Sequence, residues 1–99
     1  MKIEKRTVEG QLTVSLEGRL DTTTAPLLEE SLRGELDNVV CLVLVMAKLE
    51  YLSSAGLRVI LAAQKHMSAK GTLVLKQVPK VILDILDVTG FIDILTVET

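Results

Sequence analysis

The sequence predicts an α/β fold, a single small domain over residues 1–99 with a mixed sheet of four to five strands in the order β-β-α-β-α-β-α. Segments of strand character alternate with segments of helical period, which is typical of a sheet with parallel neighbours and right-handed crossovers. A length of 99 residues and a hydrophobic content of 48% suffice for one core. Aromatic residues make up only 2%, so this core must be aliphatic.

The chain begins with a predicted hairpin. Apolar and polar residues alternate over residues 12–17, which indicates a strand with one solvated face. Glu9-Gly10 separates this strand from residues 3–8, so the two segments are expected to pair. Gly18 is predicted to end the second strand, and a polar connection over residues 19–24 follows.

A first helix follows that connection. Thr23 or Thr24 can cap it, and Pro26 is tolerated in a first turn, where an N–H group has no intrahelical acceptor. Glu29 and Arg33 are predicted to form an exposed pair four residues apart. Leucines four apart form the predicted buried face: Leu28, Leu32 and Leu36.

The middle of the chain is predicted to form a central strand and a long helix. Residues 39–46 are almost continuously apolar, which suits a strand covered on both faces or the middle of a parallel sheet. Helical period extends over residues 54–70, with Gly71 as the residue after the helix. One stripe of this helix contains Ala55, Val59, Ala62 and His66, and Leu57, Ile60 and Leu61 join it to form a broad apolar face.

The last third should contain a strand and a third helix. Residues 72–76 read as a strand, and Pro79 opens a helix that Gly90 ends. The predicted buried side of this helix consists of Val81, Ile82, Ile85, Leu86 and Thr89. Residues 91–97 are a short strand or a last helical turn, and periodicity does not decide between them.

Composition argues against several classes of function. A net charge of −2 and few aromatic residues do not suit nucleic-acid binding, so no such partner is expected. Cys41 is the only cysteine, and we expect it to be a small apolar core residue rather than part of a disulfide or zinc site. No apolar run is long enough to insert into a membrane and no secretory signal is visible, so the expected location is the cytoplasm.

Catalytic residues are not expected either. His66 is the only histidine, and no serine or cysteine is arranged with it as in a catalytic triad. The six glycines are scattered and form no phosphate-binding motif. We therefore expect a protein that is not an enzyme and that requires neither a metal nor a cofactor.

Two loops remain as candidate sites, over residues 18–24 and 50–57, each at the end of a strand that leads into a helix. In a parallel sheet both belong to the edge where ligands and partners bind. Serine before a helix is an ordinary cap, but LSSAGL (residues 52–57) has two hydroxyls followed by Ala55 and Gly56. Such a small, open helix start suits close approach by a partner. Asp21 is either a partner contact or a turn residue bonded to its own backbone.

Three segments resemble one known family. YLSSAGLRVIL (residues 51–61) is similar to the signature of the STAS domain, specifically of the bacterial anti-sigma factor antagonists. EGRLDTTTA (residues 17–25) resembles that family's Gly-x-Leu/Ile-Asp turn before the first helix. DVTGFIDIL (residues 87–95) resembles its usual ending. The three segments occur in the family's order and span nearly the whole chain.

The resemblance implies a phosphorylation-controlled switch in transcription. Such proteins bind an anti-sigma factor that is also a serine kinase, and so free a sigma factor. The kinase phosphorylates a serine at the start of the second helix and breaks the complex, and a phosphatase restores it. Ser54 is the implied phosphate acceptor, with Ser53 as the alternative. The implied partner-binding residues are Asp21, Thr22, Thr23, Ser53, Ser54, Ala55, Gly56 and Arg58.

The sequence departs from the family pattern at three positions. Ser53 stands where the family often has Asp, and Ala55 stands where some members carry the phosphorylated serine. Val45 replaces an acidic residue common near the end of the central strand. Val45 and Ala55 motivate an alternative: a STAS subunit that is not phosphorylated and scaffolds a stressosome-like assembly or a transporter complex.

Overall fold

The computed structural model describes residues 1–99 and confirms the predicted α/β class and element order. The five strands are β1 (Lys2–Val8), β2 (Gln11–Leu20), β3 (Cys41–Leu52), β4 (Thr72–Lys76) and β5 (Thr96–Val97). The helices are α1 (Ala25–Leu32), α2 (Ser54–Ser68) and α3 (Lys80–Val88), and a 3₁₀ turn spans Phe91–Asp93. None of the three helices combines the length and apolar character that crossing a bilayer demands.

The strands lie in the sheet in the order of the sequence, β1-β2-β3-β4-β5. β1 and β2 are antiparallel, and every later pairing is parallel. Right-handed crossovers that always step in the same direction place all three helices on one face of the sheet. Accordingly, buried side chains of α1, α2 and α3 belong to a single cluster with alternate residues of the strands.

The core is aliphatic, as predicted, and contains no buried polar or charged residue. Its strand residues are Leu12, Val14, Leu16, Leu20, Leu42, Leu44, Met46, Leu49, Leu52, Leu73 and Leu75. Its fully buried helical residues are Leu28, Ile60, Met67, Ile82 and Leu86. Because the helices cover only this face, the expectation that β3 is covered on both faces is wrong, and β3 instead lies in the middle of a sheet with one open face. Cys41 is on that open face and is half-buried rather than buried.

The predicted hairpin is present, but its second strand is longer than expected. Glu9 and Gly10 have φ values of +46° and +82°, the pattern of a two-residue turn whose twist matches the flanking strands. β2 continues through Gly18 to Leu20. Gly18 has φ of +109°, so it lies inside the strand at an irregularity instead of ending it.

β3 is also longer than predicted, because two register shifts against β2 interrupt its pattern. Val45 pairs with Ser15 and Lys48 with Glu17, so β3 has one residue more than β2 in this interval. A second extra residue separates the pair Gly18–Leu49 from the pair Arg19–Tyr51. The polar residues around the shifts hid the continuation of the strand.

The helices differ from prediction in the side they bury. α2 buries Gly56, Leu57, Ile60, Ala63 and Met67 against the sheet. Leu57 and Ile60 of the predicted apolar face are therefore confirmed as buried. Val59, Ala62 and His66 are not buried, and they border a surface groove against α1 instead. α3 buries only Ile82 and Leu86, while Val81 and Thr89 are exposed and Ile85 is half-buried, because the stripe that contacts the core is narrow.

Three local predictions concern the end of α1, the pairing of Arg33 and the last residues of the chain. α1 ends at Leu32, and Leu36 is buried from the following loop rather than from the helix. Arg33 pairs with Glu30 at 3.2 Å, not with Glu29. Residues 91–97 contain both predicted alternatives, a 3₁₀ turn and the strand β5, and Gly90 precedes them with φ of +81°.

Position 71 requires glycine for a structural reason that the sequence did not indicate. α2 ends at Ser68 with Ala69 as its C-cap, and Gly71 is not in the left-handed conformation expected of the residue after a helix. Instead it passes against Val40, whose carbonyl oxygen accepts a hydrogen bond from the next residue, Thr72, at 3.0 Å. A Cβ at position 71 would overlap that oxygen and lie 2.7 Å from the carbonyl carbon.

We therefore expect Gly71→Ala to lower the free energy of unfolding by about 3 kcal/mol, the upper end of the usual cost of overpacking, because backbone atoms must move. Gly34→Ala is the matched control: Gly34 has φ of +76° but nothing within 4 Å of an added Cβ. It should cost about 1 kcal/mol from backbone strain alone. Urea unfolding of both variants measures the difference, and equal losses would contradict the assigned role of Gly71.

Candidate functional site

Two loops meet at the edge of the sheet where β2 and β3 end. Leu20 and Leu52 are the last paired residues of the two strands, and both are buried. The backbone N–H of Ser53 donates to the carbonyl oxygen of Leu20 at 2.9 Å. The prediction that both loops lie at the same end of the sheet is therefore confirmed.

Asp21 organises the loop between β2 and α1. Its Oδ1 accepts hydrogen bonds from the backbone N–H groups of Thr23 at 3.0 Å and Thr24 at 3.1 Å. The Thr24 hydroxyl donates to the carbonyl oxygen of Arg19 at 2.6 Å and accepts from the N–H of Asp21 at 2.8 Å. Thr24 is the N-cap residue of α1 but makes no side-chain cap bond, so the expectation that a threonine side chain caps this helix is wrong.

The hydrogen bonds to Oδ1 stabilise the charged form of Asp21. The N–H of Thr24, and after it that of Thr23, hold the pKa of Asp21 below its ordinary value of 3.8, with a further contribution from the Arg19 charge. The geometry is that of a turn residue bonded to its own backbone. The side chain of Asp21 is still 32% exposed, and Thr22 and Thr23 are exposed beside it. Their contact with a partner stays a prediction.

The two serines of LSSAGL have different surroundings. Ser53 is the N-cap of α2, with extended backbone, and its Oγ accepts from the N–H of Gly56 at 3.3 Å. Ser54 is the first residue of α2 and is exposed. Its hydroxyl makes no hydrogen bond within the protein. Ser53 is thus engaged in capping, whereas the hydroxyl of Ser54 is free.

The other residues at the start of α2 differ in exposure: Gly56 packs in the core, whereas Ala55 and Arg58 are partly or fully exposed. Gly56 is buried, and a Cβ there would lie 2.7 Å from Cγ of Leu20 and 2.9 Å from Cδ1 of Leu52. The small size of this residue is therefore explained by close packing of α2 onto the two strand ends. Ala55 is half-buried, and Arg58 is exposed with no carboxylate oxygen within 4.0 Å. Partner contacts by these residues remain predictions.

Arg19 and Tyr51 complete this edge of the sheet; both lie in the predicted candidate loops but are not among the implied partner-binding residues. The second register shift makes them cross-strand partners, and the guanidinium carbon of Arg19 lies 4.4 Å from the centroid of the Tyr51 ring. A signal was present, because both residues fall inside the quoted segments and Tyr51 is the only tyrosine. Their pairing depends on two extra residues in β3, which no periodic pattern reveals.

Val45 lies away from this site. It is the fifth residue of β3, is half-buried, and borders a shallow depression on the open face with Glu17 and Lys48. The strand continues for seven more residues to Leu52. The expectation that Val45 stands near the end of the central strand is therefore wrong.

Comparison with known proteins agrees with this architecture. The family model of the STAS domain matches residues 2–99. BtrV of Bordetella bronchiseptica, named as a candidate anti-sigma factor antagonist, is 32% identical over 99 residues. That match covers 98% of this chain and 85% of BtrV.

Solved structures share the fold. An anti-sigma factor antagonist from Mycobacterium paratuberculosis gives a TM-score of 0.88 at 21% identity, over 98% of this chain and 84% of that one. SpoIIAA gives 0.75 in its unphosphorylated form at 14% identity, over 99% and 87% of the two chains. The phosphorylated form of SpoIIAA from Bacillus gives 0.76 at 15% identity, over 99% and 92%. At these identities the likeness concerns the fold alone.

The division between the serines predicts unequal effects on stability. Ser53→Ala should lower the free energy of unfolding by about 1 kcal/mol, since the N–H of Gly56 loses its acceptor. Ser54→Ala, the matched control, should stay within about 0.5 kcal/mol of wild type because its hydroxyl has no partner. Thermal or urea unfolding measures both, and a larger loss in Ser54→Ala would show that the capping assignment is wrong.

The lowered pKa of Asp21 predicts that the free energy of unfolding depends on pH. Its pKa in the folded state lies below the ordinary value of 3.8. The stabilisation is therefore fully present above that ordinary value and is lost as pH falls through the folded pKa. Asp21→Asn should flatten the acid limb of the stability curve, measured by urea unfolding at a series of pH values. An unchanged slope in Asp21→Asn would contradict the assignment.

Proposed function

The chain belongs to the STAS domain family, and on this premise we propose that it is an anti-sigma factor antagonist controlled by phosphorylation of Ser54. In this proposal it binds an anti-sigma factor that is also a serine kinase and so releases a sigma factor. The kinase then phosphorylates Ser54 and breaks the complex, and a phosphatase reverses the modification. The protein acts in the cytoplasm, catalyses no reaction itself and needs no cofactor. The relationship to BtrV supports the class of function.

The free hydroxyl of Ser54 is the observation that supports this choice of acceptor. A serine oxygen that makes no internal hydrogen bond enters the active site of a kinase without the cost of breaking one. Ser54 is exposed and unbonded, whereas Ser53 is half-buried and caps α2 through Gly56. The modification of Ser54 therefore leaves the cap intact.

A phosphate on Ser54 is compatible with the folded state. The first N–H groups of a helix have no intrahelical acceptors, and the helix dipole favours negative charge at this end. The first turn of α2 contains no acidic residue that would repel the phosphate. The domain should thus stay folded.

The same phosphate changes the surface that a partner must accept. A neutral hydroxyl is replaced by a group with a charge of about −1.5 to −2 at neutral pH. An interface packed against the small residues Ala55 and Ser54 gains both volume and unpaired charge. Loss of binding without loss of folding is the expected consequence.

Incubation with the cognate anti-sigma kinase and ATP, followed by mass spectrometry, tests this proposal. We expect one phosphate, on Ser54. Ser54→Ala should abolish it, while the matched variant Ser53→Ala should still accept phosphate because it retains the exposed hydroxyl. In calorimetric titrations Ser54→Asp should bind the anti-sigma factor at least about tenfold more weakly than wild type, since charge is introduced at the interface.

Two results would contradict the proposal. The first is the absence of phosphate from both Ser53 and Ser54 together with unchanged binding by Ser54→Asp. The second is a pull-down that recovers stressosome-like scaffold or transporter components and no kinase, which would favour a constitutive scaffold role.

A further inference from the structure

We propose that Arg19, held in place by Tyr51, binds a carboxylate side chain of the anti-sigma partner. This inference rests on the proposed function, and it assigns part of the recognition surface to residues outside the two serines. The Arg19–Tyr51 pair consists of these two side chains, which are cross-strand partners of β2 and β3 at the edge of the sheet.

Tyr51 restricts the orientation of the Arg19 side chain. The guanidinium carbon is 4.4 Å from the ring centroid, within the distance at which a cation is attracted to an aromatic face. Stacking of this kind fixes a long side chain that would otherwise sample many rotamers. An arginine that is already ordered loses less conformational entropy when it binds.

The hydrogen-bonding capacity of Arg19 is unused. Its side chain is 60% exposed, and its guanidinium donates no hydrogen bond within the protein. Nε lies 3.9 Å from Oδ2 of Asp21, which is too long for a hydrogen bond. Asp21 is held in this position by the N–H groups of its own loop through Oδ1. The planar donor fork of Arg19 is therefore available to an external acceptor.

The geometry of the Arg19 guanidinium favours a carboxylate as that acceptor. A carboxylate matches the fork geometry with two parallel hydrogen bonds and carries a single negative charge. The negative charges of Asp21 and of the exposed Glu50 beside Tyr51 oppose any anion, and they oppose a group of higher charge more strongly than a carboxylate. A nucleic acid, with a phosphate at every residue, would also meet a chain whose net charge is −2.

The Arg19–Tyr51 pair is joined through backbone hydrogen bonds to the loop that carries Ser53 and Ser54. The carbonyl oxygen of Arg19 accepts from Thr24, and the carbonyl of the next residue, Leu20, accepts from the N–H of Ser53. The Arg19–Tyr51 pair and the start of α2 therefore lie at the same end of β2 and β3, and in this proposal one partner contacts both. Exposed arginine and tyrosine side chains are also enriched among residues that dominate binding energy at interfaces.

Calorimetric titration of the full chain with the cognate anti-sigma factor, at low and high salt, tests the inference. Arg19→Gln should weaken the Kd at low salt by about tenfold and reduce its dependence on salt, because one ion pair is lost. Arg19→Lys keeps the charge but not the planar fork, so its Kd should lie between those of wild type and Arg19→Gln. Tyr51→Leu removes the stacking surface and should also give an intermediate Kd.

Two variants serve as matched controls. Tyr51→Phe retains an aromatic face, and Arg33→Gln removes another exposed arginine, one that is paired with Glu30 on α1. Both should bind within about twofold of wild type, as expected for groups that carry little binding energy. Thermal unfolding of every variant establishes that the compared proteins are folded.

The outcomes separate this inference from the proposed function. If wild type binds and Arg19→Gln binds equally well with the same dependence on salt, the inference is overturned and the proposed function stands. A loss in Arg19→Gln that is identical at low and high salt also overturns it, since salt weakens the long-range attraction between Arg19 and the negative charge of a carboxylate. If wild type itself does not bind the anti-sigma factor, the proposed function fails as well.

Discussion

The parallel pairing of β2 with β3 runs from the Gln11–Cys41 pair to the Leu20–Leu52 pair and passes through two register shifts. Strict alternation after Met46 would direct Lys48 and Glu50 into the core, because a slip of one residue reverses every side chain. The first shift instead turns Leu49 inward, and the second does the same for Leu52. Both leucines are buried while the charged residues face solvent, so the shifts preserve an aliphatic core along a strand of mixed sequence.

The same pairing positions the functional edge. Leu20 and Leu52 end their strands side by side, and Gly56 allows α2 to pack closely on both. The N–H of Ser53 then joins the loops through Leu20, which leaves Ser53 as the cap and Ser54 at the exposed helix start. Arg19 and Tyr51 become neighbours through the second shift. Core packing and surface chemistry at this edge therefore depend on one strand register.

Sequence patterns predict those features of the fold that depend on local or periodic signals. The Glu9-Gly10 turn, the strand Thr72–Lys76 and the stop at Gly90 lie where they were expected, since turn chemistry and alternation are encoded in adjacent residues. Tertiary geometry decides the rest. The face that α2 buries depends on its rotation against the sheet, and the need for glycine at position 71 depends on Val40, thirty-one positions away in sequence. For the site, the loops and serines were predictable, whereas the Arg19–Tyr51 pair required the register shifts.

Electrostatics connects the proposed phosphorylation to the proposed contact of Arg19. A partner carboxylate bound to Arg19 and a phosphate on Ser54 would both lie at the end of β2 and β3, and two negative charges at the same end of the sheet repel each other. Charges interact appreciably within a Debye length, about 8 Å at physiological ionic strength, and less screening applies inside a closed interface. The phosphate would also compete for cationic groups of this edge, of which Arg58 is unpaired. A single modification could thus weaken an ion pair that it does not touch, while the core, the cap on Gly56 and the Asp21 turn stay unchanged.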